Sequence, residues 1–117
     1  MAKTAALVIG IIFIIIGIWG FFQNPVLGVF DANTTHSIVH LIFGIILVAC
    51  ASKAAATALK WVGIIYIIVA IIGFIQGSSV LGIIDVNAAD NWLHLVLGIV
   101  IAIFGFAGAK GSASAQM

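Results

Sequence analysis

Arginine and glutamate are absent, and four lysines and three aspartates supply all the fixed charge in 117 residues, 6% of the chain. Soluble domains carry roughly a quarter charged residues, so these few could not solvate the surface of a water-soluble fold. A formal net charge of +1 also excludes nucleic acid as a partner, since that calls for a basic patch. The single cysteine, Cys50, excludes an intrachain disulfide and a multi-cysteine metal site, and reads as a small apolar helix residue. No glycine-rich phosphate loop and no Gly-x-Ser-x-Gly elbow is present, and no carboxylate lies deep in an apolar run. Catalysis has little to stand on, and a non-enzymatic role is expected.

What fills the chain instead is apolar: 65% of residues are hydrophobic and the mean hydropathy is +1.42. Four runs approach the ~20 residues that span a bilayer core of about 30 Å, over 5–23, 34–51, 58–77 and 88–109. The first is followed by Gln23-Asn24-Pro25, which is not a signal-peptide cleavage site. Pro25 stops that helix, because proline lacks a backbone donor. Gly77 ends the third, since glycine is favoured just past a helix C-terminus. Thr57 is the expected N-cap of the third. The expected fold is all-α and integral to a membrane: one domain, 1–117, forming a four-helix transmembrane bundle.

The chain also copies itself. Leu27-Gly28-x-x-Asp31-x-Asn33 is followed by His40-Leu41-x-x-Gly44, and Leu81-Gly82-x-x-Asp85-x-Asn87 by His94-Leu95-x-x-Gly98. Gly10 matches Gly63, Gly20 matches Gly73, and Gln23 matches Gln76, with a one-residue insertion in the second loop. Apolar sequence aligns with itself by chance; matched Asp, Asn, Gln and His in one register do not. Two tandem helical-hairpin repeats, 5–52 and 58–109, are expected, each of two spans and therefore in parallel orientation about an axis near the membrane normal.

Charge sets the expected orientation. Lys3, Lys53, Lys60 and Lys110 fall on one side and Asp31, Asp85 and Asp90 on the other. The positive-inside rule then places both termini in the cytoplasm of a prokaryotic inner membrane. Trp19 and Trp92 near outer ends, and Trp61 near an inner one, form an aromatic belt. The many glycines are expected to let helices approach closely, because packing in lipid favours small residues.

Polar side chains with chemical potential concentrate where the second and fourth spans begin. His36 and His40 are one helical turn apart and share a face, as do Asp90 and His94. If the two faces meet, His36, His40, Asp90 and His94 make a tetrahedral, zinc-type ligand set. His40 and His94 alone, on different helices, could ligate a haem axially. The leading expectation is plainer, and calls for no cofactor. A buried polar group in lipid must find a partner, so Gln23 and Gln76 are expected to hydrogen-bond His40 and His94, with His36 and Asp90 forming a cross-repeat ion pair. Asp31, Asn33, Asp85 and Asn87 read as helix caps and turn residues.

The Asn-x6-His-Leu-x2-Gly helix start, Asn33 to Gly44 and again Asn87 to Gly98, resembles a family of small bacterial four-span membrane proteins, domain of unknown function 4383. The resemblance implies a polytopic membrane protein over about 5–108 and no assigned activity.

The function expected from these residues is that of a small structural or accessory membrane component. Its partners would be the lipid bilayer and either further copies of itself or a larger membrane complex. A metal- or haem-binding protein built on the histidines is the alternative, and a small oligomeric transporter or channel the third reading.

Overall fold

The computed structural model describes the backbone of residues 1–116 and the side chains of 1–108, so Lys110 and its contribution to charge asymmetry lie outside the described side chains. Four helices form: α1 (Ala2–Phe22), α2 (Thr34–Cys50), α3 (Ala55–Gln76) and α4 (Ala88–Gln116). Three of them are long and apolar enough to cross a membrane. α2, at 17 residues, rises only about 25 Å. In the loop before it Leu27 and Val29 are exposed apolar residues, while Val26 is buried. The molecule is an all-α, membrane-type four-helix bundle.

α1 packs chiefly on α2, and α3 on α4, with lighter contact between these two hairpins. The polarity of each helix is inverted relative to a soluble bundle. Gly10, Gly17, Gly20, Gly63, Ala70 and Gly73 are buried, while Ile11, Ile15, Ile18, Ile68, Ile71 and Ile103 are exposed. Burying isoleucine gains nothing in lipid, whereas a small residue lets two backbones touch. Gly10 and Gly44 show this most closely. A Cβ on Gly10 would stand 2.9 Å from the Gly44 carbonyl oxygen, and one on Gly44 would stand 2.7 Å from the Gly10 carbonyl oxygen. Larger side chains fill the centre, where Phe13, Leu47, Leu59, Tyr66 and Ile101 form the core.

The two loops that join α1 to α2 and α3 to α4 are more ordered than plain loops. Ser79–Val80 (β1) and Ile84–Asp85 (β2) pair antiparallel, and Val26 bridges Phe30 in the same manner. Both turns carry leucine then glycine in the left-handed region: Leu27 at φ 56° and Gly28 at 72°, Leu81 at 57° and Gly82 at 74°. Glycine adopts that conformation freely, whereas a leucine there costs about 1–2 kcal/mol. The loops are braced against each other. The Asn33 side-chain amide donates to the Ile83 carbonyl at 3.2 Å, and that of Asn87 to the Val29 carbonyl at 2.7 Å.

The helix ends follow local chemistry. Asn33 accepts from the His36 backbone N–H at 3.0 Å. Asn87 and Asp90 form a reciprocal capping box, Asp90 N–H to Asn87 Oδ1 at 2.8 Å and Asn87 N–H to Asp90 Oδ2 at 3.0 Å. The caps are therefore the two asparagines, and Asp31 and Asp85 precede them without capping; an N-cap must sit one residue before the first helical turn. Gly77 caps α3 with φ 89°, as its position predicts. Thr57 does not cap: α3 begins at Ala55 after Ala54, with no side-chain cap.

Candidate functional site

Three imidazoles meet at the end of the bundle that carries the two paired loops. α2 carries His36 and His40 on one face, and α4 brings in His94. All three are buried. Ring centroids lie 4.9 Å apart for His36–His40, 5.2 Å for His36–His94 and 5.8 Å for His40–His94. One ring nitrogen from each lies within 4.8 Å of the others. The sequence places these side chains on two helices; α2 and α4 do not pack directly, and the docking of hairpin α1–α2 on hairpin α3–α4 is what joins the three rings.

Hydrogen-bond partners order the cluster. His36 Nδ1 lies 2.9 Å from the Asp85 carbonyl oxygen. A carbonyl only accepts, so Nδ1 carries the proton and His36 Nε2 presents a lone pair. That lone pair faces His40 Nε2 at 3.1 Å. Without a cation between them, His40 Nε2–H donates to His36, leaving His40 Nδ1 to accept from the Tyr66 hydroxyl at 3.2 Å. A one-directional chain thus runs from Tyr66 through His40 and His36 to Asp85, joining α3, α2 and the loop between α3 and α4. His94 Nδ1 is buried without a partner.

Aromatic rings frame the cluster in a matched way. Phe13 meets His40 edge-on with centroids 5.3 Å apart, and Tyr66 stacks on His94 at 5.4 Å. Phe13 and Tyr66 touch each other at 5.2 Å. Tyr66 was not assigned a role from the sequence. Its signal was there: it is the one phenol, within an apolar run, at the place Phe13 takes in the first half.

Several expected pairings do not form. Gln23 Oε1 accepts instead from Trp19 Nε1 at 2.8 Å and the Leu27 backbone N–H at 3.2 Å. Gln76 Oε1 accepts from the Leu81 backbone N–H at 2.7 Å. Both glutamines sit at exposed helix ends, where a left-handed leucine offers a free N–H within local reach, so neither reaches a histidine. His36 and Asp90 form no ion pair either. The Asp90 carboxylate is held by its cap and the His36 ring by Asp85 and His40. Asp90 is also outside the converging ligand atoms, which come from the three histidines alone.

A cavity of about 80 Å³ adjoins the cluster. His36, His40, Ser37 and Asp90 contribute to its wall, and Phe13, Trp19, Leu93 and Leu97 make it largely apolar. The Ser37 hydroxyl is buried with no hydrogen-bond partner, as is Asn91 Oδ1. Each lies against a glycine of the neighbouring helix, Ser37 on Gly20 and Asn91 on Gly73. Such contacts place an oxygen over a Cα–H, a weak interaction typical of helix interfaces.

Comparison with known proteins places the chain at family level. A family model described as Domain of unknown function (DUF4383) matches residues 3–107. The chain belongs to that family. No curated protein and no solved structure matches it. Membership accords with an apolar helical protein and brings no activity with it, so any chemical role must be argued from the cluster itself.

Proposed function

We propose that this integral membrane protein binds one transition-metal ion, copper or zinc in class, through His36, His40 and His94. The observation that carries the reading is the convergence of three buried ring nitrogens within 4.8 Å. Two imidazole nitrogens on one ion, each at ~2.0–2.1 Å, stand roughly 3.3 Å apart at the tetrahedral angle. The 3.1 Å between His36 Nε2 and His40 Nε2 already approaches this. His36 is set as an Nε2 ligand by its bond to the Asp85 carbonyl, the kind of outer partner that fixes the tautomer of a metal-bound histidine. His40 reaches the same state by moving its proton to Nδ1, which then donates a hydrogen bond to the Tyr66 oxygen. Imidazole suits copper and zinc. A bare ion fits better than haem: the rings are in mutual contact, and the adjoining cavity is too small for a macrocycle.

The test is elemental analysis of the protein purified in detergent and equilibrated with copper or zinc. One ion per chain is expected, falling at least tenfold in His40→Ala and His94→Ala. A wild-type chain that takes up neither metal overturns the proposal.

A second reading, a structural or accessory component without a cofactor, is favoured by the hydrogen-bond chain, which locks α2, α3 and an outer loop together. Self-association or docking in a larger membrane complex belongs to it, and native mass spectrometry in lipid nanodiscs measures it. Either reading goes with a non-enzymatic protein of the inner membrane, termini in the cytoplasm. Lys3, Lys53 and Lys60 at one end of the bundle and Asp31, Asp85 and Asp90 at the other support that orientation. The paired turns, the Phe13–His40 and Tyr66–His94 contacts, and the Gly20–Ser37 and Gly73–Asn91 contacts likewise support a tandem origin of the two hairpins.

A further inference from the structure

We infer that the ion held by the three histidines, when it is copper(I), keeps an open coordination position facing the apolar cavity, and that this position takes a small neutral ligand of two or three atoms, of the carbon monoxide or dioxygen kind, drawn from the membrane. The inference rests on the metal-binding reading above. Three protein ligands leave a tetrahedral ion one position short, the mark of sites that accept an outside ligand rather than of closed structural ones. The group that would have closed the set, Asp90, is engaged in its helix cap with Asn87. Tyr66 is not free to close it, because its oxygen bonds the remote nitrogen of His40.

The cavity adjoins the cluster on its His36 and His40 side, and His94 is not part of its wall. His36 and His40 both form part of its wall. Its volume, about 80 Å³, is roughly half that of an engineered cavity that binds benzene, which sets the ligand at a few atoms. Phe13, Leu93 and Leu97 make the wall largely apolar, with Asp31 and Asp90 among its few polar members. One donor is provided: the Ser37 hydroxyl, 1% exposed and without a partner, lines the same space. Ser37 adjoins His36 on α2, and a turn of its unpaired hydroxyl away from Gly20 would supply a donor to a bound diatomic.

Carbon monoxide on the chain loaded anaerobically with Cu(I) is the probe. Infrared spectroscopy of the reconstituted protein is expected to show one C–O stretching band, and copper is measured in the same sample. Leu97→Phe, which fills the cavity, should keep its copper and helical circular dichroism yet lose at least tenfold in band intensity. Leu93→Phe is the second filling variant, should the first not fold. Ser37→Ala should keep the band and shift its frequency. Copper bound with no band, or a band of unchanged intensity in a folded filling variant, overturns the inference and leaves metal binding standing. No copper bound overturns the inference, and neither copper nor zinc bound overturns both.

Discussion

His36 and His40 point their Nε2 atoms at each other across 3.1 Å, one turn apart on α2. Two nitrogens that close inside a membrane protein share either a proton or a cation, since two bare lone pairs would repel. Tyr66 decides how the proton is shared, because its hydroxyl reaches His40 from α3 and satisfies whichever state Nδ1 adopts.

Tyr66→Phe therefore isolates the hydroxyl while keeping the ring that stacks on His94. Interhelical hydrogen bonds in membranes contribute about 0.6 kcal/mol on average and up to ~2, so a loss in that range is expected in reversible unfolding in bicelles. Metal stoichiometry should stay near that of the parent chain. A loss of metal equal to that of His40→Ala would make Tyr66 a ligand.

Asp90→Ala separates a cap from a ligand. Removing an N-terminal capping partner costs ~0.5–2 kcal/mol, visible as faster amide exchange at the start of α4. Copper or zinc content should change less than twofold. A tenfold fall would return the aspartate to the coordination set.

Gly20→Ala places a methyl on the Ser37 hydroxyl, and Gly73→Ala one on the Asn91 amide. Overpacking of this kind costs ~1–3 kcal/mol. Thermal denaturation should show both losses, with Gly20→Ala partly rescued in a double variant with Ser37→Ala. No rescue would place the strain elsewhere in α1.

Asn33→Ala loses a cap bond and a brace to the opposite loop at once, and Asn87→Ala does the same. Each should cost more than the ~1 kcal/mol typical of a cap alone. Measured against the double variant, their losses should not add, since both secure the same pair of loops. Strict additivity would mean that the braces contribute nothing.

The sequence by itself determined the class and the helices. Composition and run length suffice for that, because a chain this apolar can satisfy its backbone only with helices inside lipid. Asn33, Asn87 and Gly77 were legible as helix ends because caps act over a few residues. His36, His40 and His94 were legible as candidates from spacing and register. Their convergence was not, because it depends on how the two hairpins dock. Nor were the partners of Gln23 and Gln76. A left-handed leucine puts a backbone N–H beside each glutamine, and a near donor outcompetes a distant histidine. Tyr66 entered the cluster only through the docking of one hairpin on the other. Local chemistry is written within a helical turn of the residue that carries it; a site drawn from three helices and a loop exists only once those elements pack.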